Sequence, residues 1–175
     1  MKGTIAQCLS DLVIKIAGEP VWRGILKTSG LPEDRSFTMN ETIDDAAVMT
    51  VVKNTCDALN ITLAQAADAF GDYWMNEYAP AKYPLFFKKN HSAREFLLDV
   101  SKIHDYMTRS MPGAQPPEFA GEWENPNSLV LHYRSQRGLI DFVVGLVKGT
   151  AKKYGETVTV EKLSDTTVKV IFPAD

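Results

Sequence analysis

The segment Tyr133-Arg134-Ser135-Gln136-Arg137 places a phenol, a hydroxyl and a guanidinium at alternating positions. Alternating residues of an extended chain point to one side, so Tyr133, Ser135 and Arg137 are predicted to converge. These groups are hydrogen-bond donors that suit an anion. Tyr133 and Ser135 also share a face with the apolar Leu129, where an unsatisfied polar group costs roughly 1–3 kcal/mol. A bound carboxylate would satisfy them; the alternative is a polar strand edge with one solvated arginine.

His104 lies about thirty residues upstream in a segment with helical periodicity. By i, i+3 and i+4 spacing it shares one helix face with large apolar residues, namely Phe96, Leu97, Val100 and Met107. Neutral imidazole is a good iron ligand. An anion-binding set and a lone imidazole on an apolar wall together predict a buried haem. The alternative is a core histidine satisfied by a backbone carbonyl, which is the commoner role for such a residue.

Composition narrows the classes of partner. The chain has 175 residues, 45% hydrophobic and 23% charged, with a net charge of -3. Its Lys and Arg residues are scattered, which argues against nucleic acid, and no apolar run reaches the roughly 20 residues of a membrane span. We expect a cytoplasmic protein, because no signal peptide is apparent and Cys8 and Cys56 resemble buried free thiols. No Cys-x-x-Cys-His motif occurs, so a haem would be non-covalent haem b.

Periodicity predicts helices first and strands later. Six helices are expected, over about 5–16, 21–29, 44–59, 62–78, 92–107 and 139–154, with irregular stretches at 31–42 and 82–90. Thr62 with Gln65, and Ser92 with Glu95, form capping boxes. Strands are expected at 118–123, 128–135, 156–163 and 166–172, the first two as a hairpin. The fold class is therefore α+β, with a helical N-terminal part and a four-stranded antiparallel sheet crossed by one helix. We expect one domain over 1–175.

Motifs spread from residue 1 to about 155 resemble one family in order and spacing. They are Met1-Lys2-Gly3-Thr4-Ile5, Ala69-Phe70-Gly71, Ile103-His104, Pro112-Gly113-Ala114-Gln115-Pro116-Pro117, Leu131-His132-Tyr133-Arg134-Ser135-Gln136-Arg137 and Gly145-Leu146-Val147-Lys148-Gly149. Together they resemble the heme-nitric oxide/oxygen binding (H-NOX) family, which includes the haem domain of soluble guanylate cyclase. That resemblance implies an α+β fold with haem between the helical part and the sheet.

The resemblance also implies a role for each matching residue. His104 would be the proximal ligand of the haem iron, and Tyr133, Ser135 and Arg137 would bind the propionates. Three further residues would pack against the haem ring, namely Pro117, Ile5 and Leu146. Pro117 would also help to bend the ring. His91 and His132 are expected to be structural, since His91 lies in a loop and His132 alternates away from Tyr133.

The residues expected on the side of the haem opposite His104, the distal pocket, indicate which gas binds. Oxygen-binding members of the family place a tyrosine nine positions after the motif tyrosine, and here that position is Phe142. Leu9 and Trp74 occupy the other distal positions, and Trp74 keeps an indole N–H. Dioxygen becomes partly negative when it binds and gains from a donor, whereas nitric oxide and carbon monoxide gain much less. An apolar pocket therefore favours nitric oxide.

The resulting prediction is a gas sensor rather than an enzyme. It would bind nitric oxide, and also carbon monoxide, and signal to a separate protein. By family resemblance that partner is a histidine kinase or a cyclic-di-GMP enzyme. The nearest rival is an oxygen sensor or carrier, which needs a distal donor. A peroxidase would need distal acid–base residues, and a non-haem interaction module would leave His104 in the core.

Overall fold

The computed structural model describes residues 1–109 and 113–174. Pro112, which begins one of the family-like motifs, lies outside the described residues. The chain forms two compact units, Met1–Ala66 and Ala67–Asp175. None of the described helices is both long and apolar enough to cross a membrane.

Three helices build the first unit: α1 (Gly3–Ala17), α2 (Glu19–Thr28) and α3 (Asp45–Leu59). All three were predicted to within about two residues. Gly18 separates α1 from α2 with a positive φ of 88°, which a residue without a Cβ adopts easily. Asp44 caps α3 by accepting a hydrogen bond from the Ala47 amide. The predicted loop at 31–42 contains no helix or named strand.

A fourth helix, α4 (Leu63–Tyr73), begins at the predicted capping box. It continues into a π-helical turn (Trp74–Tyr78) and α5 (Ala79–Lys82), so the helical path extends beyond the predicted end near residue 78. Residues 82–90 were predicted to be irregular, and this is wrong, because α6 (Pro84–Lys89) occupies them. Proline is tolerated in a first helical turn, where its missing N–H has no helical partner. Pro84 therefore begins a helix here.

Two long helices complete the helical set: α7 (Ala93–Thr108) and α8 (Ile140–Lys153). The Ser92 hydroxyl caps α7 by accepting from the Glu95 amide, while the Glu95 carboxylate accepts from the His91 amide. The second capping box is thus present, except that the Glu95 carboxylate accepts from the amide of His91 and not from that of Ser92. α8 ends before Gly155, whose φ is 69°.

The sheet contains β1 (Glu118–Asn125), β2 (Ser128–Arg134), β3 (Thr159–Ser164) and β4 (Thr167–Ile171). Its strand order is β1-β2-β4-β3, and every neighbouring pair is antiparallel. α8 connects β2 to β3 and packs on one face of the sheet. The buried residues of that core include Leu129, Leu131, Tyr133, Ile140, Val143, Val147, Val168 and Val170. The predicted α+β class, with a four-stranded antiparallel sheet, is confirmed.

Glycines bring α4 and α8 into backbone contact. A Cβ on Gly145 would overlap the carbonyl of Ala67, and one on Gly149 would overlap the carbonyl of Gly71. Two ion pairs flank the crossing: Lys148 Nζ lies 2.7 Å from an Asp68 carboxylate oxygen, and Lys152 Nζ lies 2.7 Å from one of Asp72. This explains why glycines recur in the motifs at 69–71 and 145–149.

Candidate functional site

His104 lies on α7 and is partly buried. Its Nδ1 is 3.4 Å from the carbonyl oxygen of Pro117. A carbonyl oxygen can only accept a hydrogen bond, so this contact requires the proton on Nδ1. The lone pair of the neutral ring is then on Nε2, which leaves that nitrogen able to bind a metal.

Burial lowers the pKa of His104 below its ordinary value of 6.5. The Pro117 carbonyl and the nearby Asp105 carboxylate act in the opposite direction, but the loss of hydration is the larger effect. The imidazole is therefore neutral at pH 7, which is the form that binds iron.

Phe119 connects His104 to the anion-binding set. Its ring centroid lies 5.9 Å from that of His104 and 5.5 Å from that of Tyr133. Phe119 also lies directly opposite Tyr133 in the β1–β2 register. Phe119 was not predicted as a site residue, although its position in the predicted hairpin places it near Tyr133.

The segment that carries Tyr133, Ser135 and Arg137 is extended only in its first part. β2 ends at Arg134, Ser135 follows it, and Arg137 lies in a turn, so strand alternation does not reach Arg137. The turn folds the segment back on itself. The Tyr133 hydroxyl accepts from the Leu139 amide at 3.3 Å, and the Ser135 hydroxyl accepts from the Arg137 amide at 3.3 Å.

These bonds leave donors for an anion. The Tyr133 and Ser135 hydroxyl oxygens act as acceptors, and among the described residues no acceptor receives either hydroxyl hydrogen. The Arg137 guanidinium donates to the Gln115 carbonyl at 2.7 Å and supplies the positive charge that an anion requires. Two hydroxyl donors and a guanidinium fit a carboxylate group. Together with the His104 Nε2 lone pair, this donor set fits haem.

The predicted distal residues of the second unit form an aromatic cluster. Trp74 stacks on Phe70 at 5.8 Å between centroids and on Tyr78 at 5.3 Å. Phe142 meets Phe70 edge-on, at 5.5 Å and 79°. Trp74 begins the π-helical turn, a local geometry that is frequent at functional sites. Within residues 1–109 and 113–174, the Trp74 indole N–H makes no hydrogen bond.

The other histidines do not form a metal site. His132 is half-buried, with Nε2 3.8 Å from a Glu122 oxygen, and the His91 amide donates to the Glu95 carboxylate at the start of α7. Over the described part of the chain, no cluster of three or more His, Cys, Asp or Glu residues is arranged to bind a metal ion. A metal bound through His104 would therefore need further ligands from a cofactor.

The family comparison agrees with these features. A family model described as Haem-NO-binding matches residues 2–162. The chain belongs to this family. As a Haem-NO-binding protein it is a haem-binding domain of the gas-sensor class, and the predicted family is confirmed.

Relatives of this Haem-NO-binding chain include soluble guanylate cyclases of Caenorhabditis elegans. Gcy-34 is 28% identical over 157 residues, which cover 87% of this chain and 23% of the relative. Gcy-37 is 26% identical over 159 residues, which cover 87% of this chain and 22% of the relative. The chain thus spans less than a quarter of the length of these relatives.

Solved structures show the same fold. A Cs H-NOX mutant carrying 4-cyano-L-phenylalanine has a TM-score of 0.90 at 22% identity, covering 99% of this chain and 97% of that one. A mutant of the T. tengcongensis H-NOX has a TM-score of 0.86 at 23% identity, covering 99% and 98%. An oxygen-binding H-NOX domain related to soluble guanylate cyclases, in its oxygen complex, has a TM-score of 0.84 at 23% identity, covering 99% and 96%.

Four residues were predicted to contact the haem ring or line its distal pocket. Pro117 and Leu146 are half-buried in the second unit. Ile5 and Leu9 lie on α1 in the first unit, where Leu9 lines an apolar cavity of about 80 Å³. Their contacts with the ring stay predictions.

Proposed function

We propose that this protein is a nitric oxide sensor that carries non-covalent haem b, with His104 as the proximal ligand. The observation that carries the proposal is the His104–Pro117 contact, because it leaves a neutral Nε2 able to bind a metal at a partly buried position. Ferrous haem supplies an open coordination position at which a diatomic gas binds.

Tyr133, Ser135 and Arg137 would orient the cofactor by binding its propionates. Their support is the pair of uncommitted hydroxyl hydrogens beside a guanidinium, described above. A carboxylate with three such donors makes charge-assisted hydrogen bonds, which are about twice as strong as neutral ones. Pro117, Ile5 and Leu146 would supply apolar contact with the ring.

Phe142 supports nitric oxide, and carbon monoxide, as the preferred ligands. Its ring packs on Phe70 and offers no hydrogen-bond donor. Leu9 is also apolar, so Trp74 is the remaining distal residue with a polar hydrogen. When a pocket lacks a hydrogen-bond donor, bound dioxygen loses more binding free energy than bound nitric oxide does.

An oxygen sensor is the second candidate. The observation that favours it is the Trp74 indole N–H, which makes no hydrogen bond to any described residue. The similar domain that is solved as an oxygen complex shows that this fold accommodates dioxygen in a relative. Exposure of the reduced protein to air distinguishes the two, because a stable oxygenated spectrum would favour the oxygen sensor.

The signal would pass to a separate protein in the cytoplasm, a histidine kinase or a cyclic-di-GMP enzyme. Support for the class of partner is family resemblance alone. Haem held by His104 would couple the gas to this residue, and His104 would pass the change on to the packing of α7 against the sheet. The output is a shift in population between two conformations.

Haem titration of the purified apoprotein tests the proposal. The chain contains three histidines, so three matched variants are available: His104→Gly, His91→Gly and His132→Gly. We expect His104→Gly alone to lose haem or bind it loosely, with binding restored by free imidazole. Equal haem binding by all three variants would show that another group is the ligand.

A further inference from the structure

Ser101 lies on α7 one turn before His104 and makes two hydrogen bonds with a single residue of β1. Its hydroxyl donates to the Phe119 carbonyl oxygen at 2.8 Å and accepts from the Phe119 amide at 2.8 Å. One side chain therefore satisfies both backbone groups of Phe119. Both bonds are partly shielded from solvent, where a backbone group without a partner is unfavourable, so this pair of bonds is a strong local constraint.

The position of Phe119 in the sheet explains why its backbone needs Ser101. β1 is an edge strand of the described sheet, where it pairs with β2, and Phe119 is opposite Tyr133. The Tyr133 amide donates to the Thr166 carbonyl at 2.8 Å, on the side away from β1. Phe119 and Tyr133 are thus a non-hydrogen-bonded pair, and the Phe119 amide and carbonyl point off the sheet edge. Ser101 takes the place of a neighbouring strand there.

The two bonds also fix what lies beside His104. Pro117, whose carbonyl contacts His104 Nδ1, is two residues before Phe119. The Phe119 ring lies between His104 and Tyr133. Holding the Phe119 backbone against α7 therefore holds both the carbonyl and the ring that surround the imidazole.

We propose that Ser101 is a positioning residue for His104. By fixing the start of β1 against α7, Ser101 keeps the Pro117 carbonyl on Nδ1, so that Nε2 is presented to the metal. This inference rests on the proposed function, in which His104 is the iron ligand. Partners of this kind, one step removed from the metal, typically set the tautomer and orientation of a ligating histidine.

Ser92 offers a matched control on the same helix. Its hydroxyl also bonds a backbone amide, that of Glu95, but at the far end of α7. Ser92→Ala removes one hydroxyl and weakens the helix without touching Phe119 or Pro117. A purely structural role for Ser101 predicts that Ser101→Ala and Ser92→Ala behave alike toward His104.

Two measurements test the proposal. In the ¹⁵N-labelled apoprotein, NMR shifts of the two His104 nitrogens report the tautomer. We expect protonated Nδ1 in the wild type, Ser92→Ala and Ser101→Thr, and a mixture of tautomers in Ser101→Ala. In the ferrous haem-loaded protein, we expect the iron–histidine stretching band to shift to lower frequency in Ser101→Ala and to recover in Ser101→Thr. Ser101→Cys, with a weaker hydrogen-bonding group of similar size, should fall between.

The outcomes separate the two claims. An unchanged tautomer and band in Ser101→Ala and Ser101→Cys would overturn the role of Ser101 while leaving His104 as the ligand. A wild-type protein that shows no iron–histidine band would overturn the proposed function. In that case the tautomers in the apoprotein still decide whether Ser101 positions the imidazole.

Discussion

The contact between His104 Nδ1 and the Pro117 carbonyl decides what the imidazole can do. A histidine satisfied by a backbone carbonyl was the structural alternative to a metal ligand. The two roles are compatible, because the carbonyl contacts Nδ1 and leaves Nε2 available. The lowered pKa of His104 keeps that second nitrogen free of a proton at pH 7.

The pKa of His104 gives a pH prediction for the apoprotein. The folded value lies below 6.5, whereas the unfolded chain returns to about 6.5. Below pH 6.5 the unfolded chain therefore binds a proton that the folded chain excludes, and the free energy of unfolding falls as the pH falls between the two values. Above 6.5 this contribution is constant. Urea denaturation from about pH 5 to 7.5 should show a steeper decline for the wild type than for His104→Gln, and equal slopes would contradict the burial argument.

Phe142→Tyr tests the explanation of gas preference. The added phenol supplies a hydrogen-bond donor to a pocket position that now has none. A hydrogen bond to a charged partner is worth about 1.5–3 kcal/mol, so oxygen affinity should rise roughly 10- to 100-fold. The absorption spectrum of the reduced protein in air measures this. Phe142→Leu, which adds no donor, is the control, and equal oxygen binding by both variants would show that a donor alone is insufficient.

Residue types could predict the chemistry of the site but not its detailed geometry. His104 and the Tyr133 set were identifiable because imidazole, phenol and guanidinium are informative on apolar or alternating faces. Ser101 and Phe119 were not, since a serine on a helix and a phenylalanine on a strand are ordinary residues. Their importance depends on the register between β1 and β2, in which a shift of one residue would place His132 opposite Phe119.

At the scale of elements, long periodic segments were predictable and short ones were not. α7 and α8 follow clear helical patterns, and their starts carry capping or turn signals. α6 has six residues and begins with proline, so neither period nor composition distinguishes it from a loop. The π-helical turn likewise has no sequence signature, because it differs from α4 only in its hydrogen-bond spacing.

Gly145→Ala tests the close crossing of α4 and α8. The new Cβ would meet the Ala67 backbone, so the helices must separate, and we expect a loss of about 1–3 kcal/mol in the free energy of unfolding. Gly24→Ala on α2 is the control, since nothing lies within 4 Å of its Cβ position. That variant should gain roughly 0.5–1 kcal/mol from helix propensity. Urea denaturation measures both, and a stabilised Gly145→Ala would contradict the crossing.

At the scale of the whole molecule, the prediction of one domain over 1–175 remains a prediction. The chain divides into two compact units, while the family model extends across both. The first unit has only 66 residues, a size at which a single core is marginal on its own. We therefore expect the units to unfold together.

Calorimetry tests that expectation and its link to haem. A single transition is expected for the apoprotein, and two resolved transitions would contradict the one-domain prediction. Haem at 100 times its dissociation constant should stabilise the wild type by about 2.7 kcal/mol and raise its midpoint. His132→Gly should respond in the same way, whereas His104→Gly should not.

The ferrous resonance Raman spectrum of the haem-loaded protein tests His104 as the iron ligand most directly. We predict an iron–histidine stretching band that shifts when the histidines are ¹⁵N-labelled, that persists in His91→Gly and His132→Gly, and that disappears in His104→Gly. Absence of the band from the wild type, or its persistence in His104→Gly, would contradict the account.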